Sequence, residues 1–440
     1  MPSMIATESA AKPSGAAGDL TAIVHAMGER ARAAALALAA MPTDQKNRVL
    51  EAMADGLLAD EQAILEANAR DLEAAAARGL SAAMTDRLRL DPERLRAMAD
   101  GLRHIATLPD PVGVELHRWR PPNGLDIAKV RVPIGVIGII YESRPNVTAD
   151  AAALCFKSGN ATILRGGSEA IHSNRAIATS LAAGGAGAGL PPDAIQLIPF
   201  TDRESVKVMA QMDQWLDLII PRGGRGLIET VVSLARMPVI KHYDGICHLY
   251  VDRQADLEMA LRLTVDGKTQ KPGVCNALET LLVHRDIAAD FLPQAAAVLR
   301  DRGVELRGDE AARVLVPDLT AATEEDWSTE YLDLILAVRV VDSLEDAMAH
   351  INRHGSRHSD VIVTGDAEAA GRFFLQVDSA AVLWNASSRF NDGGEFGFGA
   401  EIGISTDKIH ARGPMGLPEL TSYKYLVRGA GQTKADNSSL

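Results

Sequence analysis

From Pro133 onward the sequence alternates short β-prone runs with helical runs, a repetition that few folds satisfy: βαβ units wound into a parallel sheet. The predicted strands are Gly135–Tyr141, Ala161–Leu164, Ala194–Ile198, Leu216–Ile220 and Pro238–Ile240, with helices Val147–Ser158, Ala170–Ala183, Arg203–Met212 and Gly226–Ala235 between them. This is a doubly wound, nucleotide-binding pattern. A second cycle begins near Asp252, with helix Leu257–Thr264, strand Glu279–Val283, helix Ile287–Arg300, strand Leu334–Val340, helix Leu344–Asn352 and strand Ser359–Thr364, closed by Ala380–Trp384. The fold class is α/β.

The flanks read differently. Residues 1–18, with Pro13 and Gly15 among small residues, predict a disordered leader. Leu20–Ala40 predicts a helix, Met41–Asp44 punctuates it, and Thr43 is the expected N-cap of a second helix running to about Leu65, with helices continuing to Ile105. Glu115–Val132 predicts a hairpin turning at Pro121–Gly124, an arm. A glycine-rich segment, Asn391–Gly403, precedes a last strand, Tyr423–Arg428.

A chain of 440 residues divides into two or three domains. Its net charge of −13 argues against a nucleic-acid or anionic-membrane surface, so an anionic ligand must meet local cations. No apolar run reaches the roughly 18 residues of a membrane span, and no signal peptide is recognisable. Three widely spaced cysteines offer no disulfide framework, and a reducing, cytoplasmic setting is expected.

Chemistry concentrates in a few stretches. In Lys271-Pro272-Gly273-Val274-Cys275-Asn276-Ala277 a cysteine sits in a loosened turn before a strand, where Lys268 and Lys271 would favour its thiolate. Such a thiol is a nucleophile or, more blandly, a small buried hydrophobe. Pro221-Arg222-Gly223-Gly224-Arg225-Gly226 follows a strand and opens a helix, the setting of a pyrophosphate cradle or of a plain tight turn. Arg165-Gly166-Gly167-Ser168-Glu169 leaves a strand end and is suited to a nucleotide ribose, or to a helix start capped by Ser168. Arg144 and Asn146 offer an anion grip and an oxyanion donor. His242, Cys247 and His248 lack a ligand spacing, and no metal site is predicted.

Taken in order, Pro145-Asn146, Gly159 to Arg165 with Ser168-Glu169, Ala188 to Pro192, the glycines of 223–226, Cys275 and Glu330-Tyr331-Leu332 resemble the aldehyde dehydrogenase superfamily. Tyr141 to Thr148, Lys241 to His248, and the run Ser388-Arg389-Phe390 through Leu420 resemble its gamma-glutamyl phosphate reductase family more specifically. The resemblance implies a dinucleotide-binding domain from 19–112 and 133–251, a catalytic domain 252–384, a return to the cofactor domain over 385–412, and an oligomerisation arm and tail from 113–132 and 413–440. It implies Cys275 as nucleophile, Asn146 at the oxyanion, and Arg165, Ser168, Glu169, Gly223, Gly224 and Glu330 at the cofactor, with NADP as that cofactor. Arg144, Arg389 and Arg412 are the cations expected to hold the substrate, L-glutamyl 5-phosphate, which is reduced with NADPH to the semialdehyde in proline biosynthesis. A homo-oligomer and a contact with glutamate 5-kinase are the expected partnerships. The hydrolytic relatives' Glu-Leu-Gly-Gly motif has no counterpart in Lys241 to His248, which agrees with a reductase and equally with the alternative, a CoA-acylating aldehyde dehydrogenase.

Overall fold

A computed structural model describes residues 15–434. Four strands, Ile195–Leu197, Ala161–Gly166, Val136–Tyr141 and Leu218–Arg222, lie in that spatial order and are all parallel. Val136–Tyr141 and Ala161–Gly166 are buried throughout, because helices cover both faces of the sheet and neither face meets water. Helix Gly15–Ala39 packs on Ala161–Gly166 from one direction and Asn146–Lys157 packs on the same strand, the two joining one apolar core.

The second sheet has seven parallel strands, in the order Thr320–Ala321, Glu305–Gly308, Ile335–Val341, Leu278–His284, Cys247–Val251, Ser359–Val363 and Ala381–Trp384. A third, antiparallel sheet joins the hairpin Glu115–Trp119 and Asp126–Pro133 to Thr421–Arg428. Among the described residues no helix is long and apolar enough to cross a membrane.

Several expectations need correction. The boundary placed at 251/252 falls inside the second sheet, since Cys247–Val251 pairs with Leu278–His284 and Ser359–Val363. That five-residue strand is buried on both faces and so shows no alternation to betray it. Pro238–Ile240 makes only an isolated bridge, Ile219 with Val239. The helix expected to run from Thr43 to Leu65 is two, Thr43–Ala59 and Glu61–Ala77, interrupted at Asp60. Thr43 is the first helical residue and not the cap; its hydroxyl donates to Asp110. Of the leader, residues 1–14 lie outside the described residues, and 15–18 are helical.

Candidate active site

Two sets of strand ends make the site. In the four-stranded sheet the chain moves to one side of Val136–Tyr141, then crosses over to form Leu218–Arg222 on the other. Between their C-terminal ends lies the topological switch point, where open α/β sheets take ligands. In the seven-stranded sheet Leu278–His284, Cys247–Val251 and Ser359–Val363 are neighbours, and Cys275, Gly245 and His358 stand just before their N-terminal ends.

Cys275 is partly exposed, whereas Cys155 and Cys247 are buried. Burial pushes the Cys275 thiol up to about 11; Arg222, the last residue of its strand, pulls the other way, and Glu330 and Glu401 add to the rise. Arg144 lies within electrostatic reach of the same sulfur. The ligating atoms of His242, Cys275 and His358 all fall within 4.8 Å of one another. Burial keeps both imidazoles neutral: it lowers His242, whose Nδ1 faces the Ile404 carbonyl at 2.9 Å, and it takes His358 to about 3.

Backbone packing fixes the cysteine. A Cβ on Gly245 would lie 1.9 Å from the Cys275 carbonyl oxygen, so only glycine permits this approach. The Gly245 amide donates to Glu330 Oε1 at 2.8 Å, and the Cys247 thiol donates to the Cys275 carbonyl at 3.2 Å.

At the switch point, Gly224 precedes helix Arg225–Leu234, and its amide donates to Glu142 Oε2 at 3.0 Å. A Cβ on Gly223 would meet that carboxylate oxygen at 2.3 Å. The cradle thus accepts an anionic oxygen and has room for it only because position 223 lacks a side chain, which fits a dinucleotide phosphate. Asn146 opens helix Asn146–Lys157 and its amide donates to Asp150, a carboxyl that burial pushes up to about 6. Ser143, at a left-handed φ of 43°, is held through its amide and hydroxyl by Glu169 Oε1 at 2.6 and 2.9 Å, which fixes the turn that carries Arg144. Ser168 is exposed in a short 3₁₀ turn and caps nothing.

Two arginines already have partners within the protein. Arg165 is buried and donates to the carbonyls of Thr201 and Asp202, so its planar fork braces the loop after Ile195–Leu197. Arg412 pairs with Asp378, through Nη1 at 3.0 Å and Nη2 to its carbonyl at 2.9 Å, and is not a free cation. Arg389 lies against the turn that carries Cys275: its carbonyl accepts from Asn276 and its Nε donates to Gln270. Arg144 has no carboxylate partner among the described residues. Sequence reasoning did not single out Arg222 as the cation of the thiol, nor Gly245, His358 or Glu401; all four reach Cys275 through tertiary packing.

A strand-switch crevice opposite a cysteine defines a class. The profile of the aldehyde dehydrogenase family matches residues 13–314, and the chain belongs to that family of oxidoreductases. Within it, the gamma-glutamyl phosphate reductase of Moorella thermoacetica is 57% identical over 411 residues, covering 93% of this chain and 98% of that protein. The one from Salinibacter ruber is 56% identical, over 93% and 94%. The crystal structure of gamma-glutamyl phosphate reductase from Thermotoga maritima superposes with a TM-score of 0.92 at 46% identity, over 93% of this chain and 99% of that one. The chain is therefore a member of the gamma-glutamyl phosphate reductase family. An acetylating aldehyde dehydrogenase from Geobacillus thermoglucosidasius, 18% identical with a TM-score of 0.69 over 96% and 99%, shares the fold alone.

Proposed function

We propose that the chain reduces L-glutamyl 5-phosphate to L-glutamate 5-semialdehyde with NADPH, releasing phosphate, in proline biosynthesis. Cys275 carries the reading. It is the one thiol of three that reaches solvent, and it has Arg222 and Arg144 in electrostatic reach and two neutral imidazoles against it.

The sulfur attacks the acyl carbon, the carbon–oxygen bond to phosphate breaks, and phosphate leaves as Cys275 becomes a thioester. The thiol proton passes to an adjacent imidazole, and the arginines, with Arg389, balance the charge of the departing phosphate. The Asn146 amide, with a backbone amide at Cys275, donates to the developing oxyanion. Gly223 and Gly224 would hold the dinucleotide phosphate in place of Glu142, and Glu330 would border the nicotinamide ribose. A reduced nicotinamide held there would supply the hydride by which the Cys275 thioester is reduced to a thiohemiacetal. Collapse of the thiohemiacetal returns the sulfur to Cys275 and frees the aldehyde. The preference for NADP over NAD rests on the family alone.

Water at the thioester would waste it. Of the two side chains in the Lys241 to His248 stretch able to activate water, Asp244 is ion-paired to Arg225 at 2.7 Å and His242 stands against Cys275, so the support for a non-hydrolytic enzyme is the missing Glu-Leu-Gly-Gly glutamate. The three-stranded arm exposes Tyr423, Tyr425 and Val427, which supports a homo-oligomer. Residues 252–384 would form the catalytic domain together with Cys247–Val251. A cytoplasmic enzyme supplied by glutamate 5-kinase completes the proposal.

The test is the reverse reaction: NADP reduction with glutamate semialdehyde should require inorganic phosphate and form little free glutamate without it. Robust reduction without phosphate, yielding glutamate, would sink the reading, and dependence on CoA would favour an acyl-CoA enzyme.

A further inference from the structure

We propose that His242, Cys275 and His358 form a binding site for a thiophilic divalent cation such as Zn²⁺, and that occupancy reversibly blocks the cysteine. The three ligating atoms lie within 4.8 Å of one another. A tetrahedral zinc with two imidazoles and a thiolate needs separations of about 3.3–3.7 Å, so about 1 Å of side-chain movement closes the set.

The second ring nitrogens give the independent support. Imidazoles that bind metals hold their other nitrogen against a carbonyl or another oxygen, which fixes the ring and leaves the opposite nitrogen for the ion. Here His242 Nδ1 faces the Ile404 carbonyl at 2.9 Å and His358 Nδ1 faces Ser359 Oγ at 2.8 Å. On His358 this leaves Nε2, fully buried and without a partner among the described residues. A buried ring nitrogen in that state is costly unless something meets it. The rings of His242 and His358 stand edge to face with centroids 5.4 Å apart, an arrangement that lets one ion touch both.

The donor set selects the metal. Two imidazoles and a sulfur suit Zn²⁺, Cd²⁺ or Co²⁺ and not Mg²⁺ or Ca²⁺, which take oxygens. Cys275 and His242 are both partly exposed and His358 is buried, so the ion enters from the Cys275 and His242 side and keeps a fourth position for water. Binding replaces the S–H bond by an S–metal bond, releases the proton to solvent, and removes the lone pair that would attack a carbonyl. The inference rests on where three side chains stand, whatever acyl group the enzyme handles.

Co²⁺ titration of the full-length protein tests it. One equivalent should give a near-ultraviolet thiolate-to-cobalt band and the visible bands of tetrahedral cobalt, both abolished by Zn²⁺. Cys275→Ser should lose the near-ultraviolet band, His358→Gln should weaken binding by about tenfold or more, and Cys155→Ala should change neither. Absence of the band, or its persistence in Cys275→Ser, overturns the proposal. Should a variant fail to fold, alkylation of the wild-type protein decides, read by peptide mass spectrometry. Zn²⁺ should protect Cys275 until a chelator is added, and undiminished labelling of Cys275 under Zn²⁺ overturns the site.

Discussion

Gly245 lies flat against the backbone of Cys275, with space for no more than a hydrogen where a Cβ would point. Gly245→Ala must therefore displace the Cys275 peptide. The expected result is a loss of turnover of at least about a hundredfold, with about 1–3 kcal/mol of stability lost to the overpacked contact. Activity close to wild type, with an unchanged melting temperature, would show that the segment yields without cost.

Cys275→Ser should abolish turnover while the protein stays folded, since a hydroxyl is a far weaker nucleophile than a thiolate. Rate and melting temperature are measured together. Retention of more than about a tenth of the activity would remove Cys275 from the chemistry. Cys155 and Cys247 are fully buried and burial raises both thiols, so alkylation of the native protein should label Cys275 first.

Asn146→Ala should lower kcat more than it raises KM, by on the order of 2–4 kcal/mol in transition-state stabilisation, because an oxyanion donor acts on charge that develops during the reaction. An effect on KM alone would make Asn146 a substrate holder.

Lys268 Nζ and Glu279 Oε2 meet at 2.7 Å with both side chains wholly buried. Burial raises Glu279 to about 7 and lowers Lys268, each against the pull of its partner. Lys268→Met alone should cost about 3–5 kcal/mol, because it strands a buried carboxylate, whereas Lys268→Met with Glu279→Leu should recover most of that loss. Chemical denaturation of the single and double variants checks the pair; equal losses in both would exclude the stranded-charge account.

His350 is 3% exposed, and burial, with His248 and Arg339 beside it, lowers its ring from 6.5 to about 2. Unfolded chains take up the proton below 6.5 and the folded ring does not. Stability is therefore fully present above that pH and falls as pH drops toward 2, by up to about 1.4 kcal/mol per pH unit from this ring. Urea unfolding between about pH 7.5 and about pH 5 should show the slope, reduced in His350→Asn. The same slope in both proteins would assign it to other groups.

The sequence made the winding of the sheets legible, because β-prone runs alternate with helices from Val136 on. It did not reveal Cys247–Val251, whose neighbours on both faces erase any period of two. The local turn marked Cys275 and the glycines between strand and helix marked 223–226 as candidates, and only the family resemblance gave either a role. The surroundings were not legible: His358 reaches Cys275 because Ser359–Val363 lies beside Cys247–Val251, a fact of strand order. The partners of Arg165 and Arg412 were hidden for a related reason, since a cation at a strand end or in a family-specific stretch can be engaged by carbonyls or a carboxylate that only the fold brings near.

The arm sheet has a bearing on how the chain is made. Its central strand, Asp126–Pro133, has Glu115–Trp119 for a neighbour almost at once, but its other edge stays bare until Thr421–Arg428 is synthesised. Throughout translation of both large sheets that edge offers unpaired amides and carbonyls to any passing strand. On the ribosome the arm is the part of the molecule that must be shielded longest, and its completion is one of the last events of folding.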